Sequence, residues 1–85
     1  MHQKGTYDLA IGMAIRELHD ERHIEREKLA EVLEITDLGV TRIENGAERM
    51  SAGDLVLVLD AFDISWDDFY ARVKRNQDKA EKQML

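Results

Sequence analysis

Apolar residues recur along most of this chain in steps of three and four, the period of helices that each bury one stripe. Ile11, Ala14, Ile15 and Leu18 follow that spacing and predict a first helix over about 7–21. Leu29, Ala30 and Leu33 share one face of a second, over 25–33. Thr36 is placed to cap a third helix over 37–45, and Gly46 suits the left-handed position that ends one. Ser51 opens a capping pattern with Asp54 in the place of the usual Glu, ahead of a stripe of Leu55, Val58, Leu59 and Phe62. Ser65 repeats the signal before Trp66, Phe69, Tyr70 and Val73, the stripe of a fifth helix. By composition alone, the run Leu55–Leu59 also suits a buried strand. The cap before it and Phe62 one turn beyond favour helix. Past Arg75 the pattern thins to Gln77, Ala80 and Met84. Residues 1–75 therefore read as the domain, and 76–85 as a charged tail that is frayed, disordered or an extension of the last helix.

Composition agrees with an all-α class. There is no proline and there are only five glycines in 85 residues, too few turn-formers for a many-stranded fold. A chain this short holds one core with little stability in reserve, so a dimer interface is a natural supplement. The absence of cysteine removes disulfides, thiol nucleophiles and thiolate metal sites. Met1–Thr6 lacks the apolar stretch of a secretory signal, and no run reaches membrane-spanning length, so the cytoplasm, with the nucleoid, is the expected compartment.

The segment 24–46 carries the functional argument. Two short helices joined by about three residues pack steeply only where a small residue marks the crossing, and Ala30 supplies it. Ile35 is expected to plug the turn, with Val40 and Ile43 pressing the next helix inward. Steps of 100° then turn Leu38, Thr41, Arg42 and Asn45 outward, with Asp37 at the N-terminal edge. An exposed helix of this size fits the DNA major groove and brings its N-terminal half to the base edges.

Those residues resemble the Cro/C1-type (XRE) helix-turn-helix regulators, which include phage repressors, restriction-modification controller proteins and some antitoxins. The resemblance runs from about Ile11 to Phe69 and is carried by Leu29-Ala30-Glu31, Leu33, Ile35-Thr36, Val40 through Gly46, and Ile64-Ser65. It implies a five-helix, lambda-repressor-like bundle that binds a palindromic operator in double-stranded DNA as a homodimer. Arg26 falls where the family often has a phosphate-binding Gln. Thr36, Asp37, Leu38, Thr41 and Arg42 fall at or beside recognition-helix positions, and Asn45 and Arg49 where backbone contacts are common. The chain departs from the pattern at Glu25 for a Ser/Thr cap, Glu34 for a turn Gly, Met50 for a Pro, and Asp37 and Gly39 for polar or basic readers.

Each functional reading has a plainer competitor. Arg42 reads a guanine or pairs with Glu31 or Asp37; Leu38 meets a thymine methyl or is an ordinary exposed leucine. Arg22, Arg26, Lys28 and Arg49 grip phosphates or form a solvated charged face. Leu57 lies opposite the stripe of its helix and, with Val56, Trp66, Tyr70 and Val73, marks a candidate dimer interface unless the tail covers it. Trp66 and Phe69 are also read as core. His19 and His23 have a chelating spacing but no third ligand, so no metal or cofactor is expected. Asp67 and Asp68 read as helix N-terminal charge, so no enzymatic activity is expected either.

Charge pulls the other way. The net charge is −6, where DNA-binding domains are ordinarily basic. Any DNA-facing surface must be a local basic patch on an acidic body. The rival class is a protein-interaction module, such as an antitoxin or anti-regulator, that keeps the fold and binds a protein partner.

Overall fold

The computed structural model describes residues 4–84, all of whose regular structure is helical. The helices are α1 (Lys4–Arg22), α2 (Arg26–Leu33), α3 (Asp37–Glu44), α4 (Ala52–Phe62) and α5 (Trp66–Met84). The expected all-α, five-helix class is what the structure has, and the ambiguous 55–59 run is helix.

The start signals act as their chemistry predicts. Thr36 Oγ1 accepts from Gly39 N at 3.0 Å, Ser51 Oγ from Asp54 N at 3.1 Å and Ser65 Oγ from Asp68 N at 3.2 Å. Each satisfies one of the orphan amides of a helix N-terminus. Glu25 precedes α2 without a side-chain cap bond. At the end of α3, Gly46 takes φ +74°, donates to Ile43 O at 3.0 Å, and lets Ala47 N reach Arg42 O at 2.8 Å. That paired closure is a Schellman motif. Glu34, at the turn between α2 and α3, takes the left-handed conformation at φ 56° although it carries a Cβ.

The core is one cluster. Ala10, Ala14, Ile15 and Leu18 of α1 meet Leu29, Ala30 and Leu33 of α2, Val40 and Ile43 of α3, Val58, Leu59 and Phe62 of α4, and Phe69, Val73 and Ala80 of α5. The largest interhelical contact joins α1 to α5; α1 also packs on α3, and α2 on both α3 and α4. Burying these apolar side chains contributes about 1.5–3 kcal/mol for each large one.

Of the alternatives left open for the tail, extension of the last helix is the one the structure has, and two other expectations change. The segment after Arg75 continues α5 and buries Asn76, Gln77 and Ala80, so Arg75 marks no structural break. Asn76 tolerates burial partly because its Nδ2 donates to Arg72 O at 3.0 Å, within its own helix. Trp66, read as core, is 52% exposed: the buried stripe of α5 starts at Phe69 and runs toward the C-terminus, leaving the first turn beyond the end of the core. Ile35 does not plug the turn. It is 37% exposed and lies over Gly39 instead.

Candidate nucleic-acid interface

The candidate site is the outer side of α3 and the residues around it. Val40, Ile43 and Glu44 are buried, which fixes the rotation of this short helix. The opposite side is open. Asp37, Leu38, Arg42 and Asn45 are exposed, Leu38 at 64%, and Thr41 is half-buried. Thr41 Oγ1 donates to Asp37 O at 3.3 Å, which leaves its methyl group and an oxygen lone pair available. Arg42 has no ion pair among the described residues, so its five donors are uncommitted. Thr36 is exposed but engaged as the cap.

The expected phosphate-gripping rim is largely occupied from within. Arg22 Nη1 donates to the carbonyl of Phe62, tying α1 to the end of α4. Arg49 Nε donates to Asp8 Oδ2 at 3.3 Å. Arg26 Nη2 donates to Glu44 Oε1 at 3.2 Å, and its Nε is buried without a partner among the described residues. A cation already matched by a carboxylate contributes less counterion release on binding a phosphate. Lys28 and Arg42 remain as cations near α2 and α3 without an ion pair among the described residues.

Two residues central to this geometry went unnoticed in the sequence. Glu44 looks like one more surface acid, yet its side chain is 3% exposed, with Oε2 at 3.1 Å from His19 Nδ1 and Oε1 on Arg26. Gly12 looks like a weak point in α1, yet a Cβ there would lie 2.2 Å from Ile43 O and 2.7 Å from Glu44 O. Its missing side chain lets α1 and the end of α3 touch backbone to backbone. No local signal distinguishes either residue, because partner and obstacle alike come from distant positions.

A second feature lies away from α3. Val56, Leu57, Trp66 and Tyr70 are all at least 44% exposed, on α4 and the start of α5. Val73 is 6% exposed within the core and leaves the candidate dimer surface. Further along α5, Arg72 donates to Glu17 and Glu21 of α1, and Arg75 to Glu17. Burial pushes the Glu17 carboxyl up, but hydrogen bonds from Asn76, Arg72 and Arg75 outweigh it and hold it below the ordinary value; the Arg72 hydrogen bond does the same for Glu21. Among the described residues no group of three or more side chains could hold a metal ion. No described helix is long and apolar enough to cross a membrane.

Set beside solved structures, this arrangement matches ClgR, the clp gene regulator of Corynebacterium glutamicum. One ClgR structure superposes with a TM-score of 0.76 over 84% of this chain and 91% of that one, at 21% identity. A second gives 0.80 over 92% and 83%, at 20% identity. The fold is the one these ClgR chains have. In sequence, the chain is 35% identical over 63 residues to a protein of Rickettsia prowazekii named an uncharacterized HTH-type transcriptional regulator. The same holds for one of that name from Rickettsia conorii. The 63 residues are 74% of this chain but only 48% and 50% of those two, so it spans about half the length of the curated relatives it matches. No family model matches the chain. In the helix-turn-helix described here, α2 and α3 form the motif and α1 supports it from behind through Gly12 and Glu44.

Proposed function

We propose that this protein is a DNA-binding transcriptional regulator of the Cro/C1 type, acting as a repressor or autoregulator in the cytoplasm. The observation that carries the reading is the outer side of α3. Leu38 and Arg42, which has no ion pair among the described residues, stand exposed one turn apart on a helix whose other side is locked into the core. An apolar tip and a free guanidinium are the groups that recognise a thymine methyl and the O6/N7 edge of guanine. Asp37, at the positive end of the helix, is suited to accept from a cytosine N4 amine. Asn45, Arg49 and Arg26 border the same helix and serve phosphates, with Thr36 holding its N-terminus.

The operator is palindromic and the regulator a dimer, joined through the exposed Val56, Leu57, Trp66 and Tyr70. Each subunit places one α3 in the major groove, with half-sites about one DNA turn (roughly 34 Å) apart. The chemistry needs no cofactor and no enzymatic step. Fluorescence anisotropy against the DNA upstream of its own gene, at two salt concentrations and with a scrambled duplex as control, tests the reading. Tight, selective, salt-sensitive binding is the expected result; equal affinity for the scrambled duplex refutes it. Leu57→Asp should convert the dimer to monomer in sedimentation velocity.

One observation favours the second reading, a protein-binding module such as an antitoxin. Arg22, Arg26 and Arg49 are already engaged internally on a body of net charge −6. On that reading the protein shows no selective DNA binding, and its affinity is for a protein partner.

A further inference from the structure

The leading end of α3 combines an acceptor with apolar carbon. Asp37 and Leu38 are the first two residues of the helix, and both are exposed. The carboxylate of Asp37 has no hydrogen bond or ion pair among the described residues; only its backbone carbonyl is engaged, by Thr41. Leu38 is 64% exposed. Thr36 is turned to the amide of Gly39 as the cap. Gly39 leaves a space that Ile35 enters, since a Cβ there would meet Ile35 Cδ1 at 3.2 Å, and Ile35 is itself partly open to solvent. One carboxylate thus stands beside two aliphatic side chains, at the end of the helix that meets base edges in a major groove.

A base edge is matched group by group. Thymine brings a methyl for Leu38 but sets its O4 acceptor next to it, where the carboxylate of Asp37 repels. Cytosine brings the N4 amine that Asp37 accepts from, but a bare C5–H where the aliphatic side chains call for a methyl. 5-Methylcytosine carries the amine and the methyl on adjacent ring carbons. We infer that the leading end of α3 reads 5-methylcytosine, with Asp37 on the N4 amine and Leu38, flanked by Ile35, on the 5-methyl group. This rests on the reading of α3 as the recognition helix and names the base it prefers. The preference would make operator occupancy respond to cytosine methylation. Burial of one methyl group is worth about fourfold in affinity.

The test uses the full chain and duplexes from the DNA upstream of its own gene, synthesised with cytosine or with 5-methylcytosine and then with single replacements. Fluorescence anisotropy should show binding tightened about fourfold by methylation of one cytosine in each half-site. Leu38→Ala should lose that gain and bind the unmethylated duplex much as wild type does, with an unchanged melting curve as the control for folding. Thymine at the same position should be disfavoured by about tenfold in wild type. Asp37→Asn, whose amide can donate to O4, should bind thymine there as tightly as 5-methylcytosine. The inference is overturned if no cytosine gains from methylation, or if the gain survives Leu38→Ala. It is equally overturned if affinity drops on replacing a neighbouring thymine with deoxyuridine while 5-methylcytosine brings no gain, because the methyl then belongs to a separate base. Selective binding of the unmodified duplex in any of these cases leaves the DNA reading standing. Binding that ignores sequence in both the unmodified and the methylated duplexes would instead retire the DNA reading on which this inference stands.

Discussion

Replacing Gly12 by Ala should destabilise this protein by much more than its place in an ordinary helix suggests. Helix propensity alone predicts a gain of about 1 kcal/mol. The structure reverses the sign. The new Cβ would lie 2.2 Å from Ile43 O, and restoring an ordinary 3.4 Å contact requires the end of α3 to retreat by about 1.2 Å. The obstacles are backbone carbonyls, so no side chain can rotate away to relieve the clash. Overpacking of this kind costs up to about 3 kcal/mol. After the propensity gain, roughly 2 kcal/mol of net loss remains, which lowers Tm by about 8–16 °C in a domain of this size. Thermal unfolding followed by circular dichroism, with a urea titration beside it, measures the effect. Gly53→Ala is the matched control: its Cβ meets only Ser51 Oγ, at 3.9 Å, so the propensity gain of up to about 1 kcal/mol should appear unopposed. A Gly12→Ala protein as stable as wild type would refute the claim that α1 and α3 are in backbone contact there.

Other perturbations separate folding from recognition. Arg42→Ala should leave folding stability within about 0.5 kcal/mol of wild type while losing about 1–3 kcal/mol of discrimination at one base pair; operator-variant anisotropy against melting curves reads both. Arg26→Ala should weaken binding to all DNA sequences alike and flatten the salt slope, and in addition lower stability by about 2–3 kcal/mol, because Glu44 keeps only His19 as a partner. Glu34→Gly should stabilise by up to about 1 kcal/mol, relieving a left-handed residue that carries a Cβ, as seen in a urea midpoint. Glu17 and Glu21 are held below the ordinary 4.5, so the stability they contribute is present above that value and lost as pH falls through their lowered values. The stability gap between wild type and Arg72→Met should accordingly narrow in acid melts below about pH 4.

Features that depend on neighbours a few positions away were legible in the chain alone. The apolar periods placed five helices, and Thr36, Ser51, Ser65 and Gly46 marked their limits, because capping and helical stripes are set within one or two turns of chain. The same 100° arithmetic turned Leu38 and Arg42 outward. Packing between distant segments settled the remainder. It carried α5 past Arg75, since Asn76, Gln77 and Ala80 bury without an apolar signature. It left Trp66 in solvent, since the core ends at Phe69. It also engaged Arg22, Arg26 and Arg49 with carbonyl and carboxylate partners between 18 and 41 positions away in the chain. Gly12 and Glu44 show the physical reason most plainly. A close backbone approach and a buried charge are properties of two surfaces meeting, and one stretch of sequence holds only one of them.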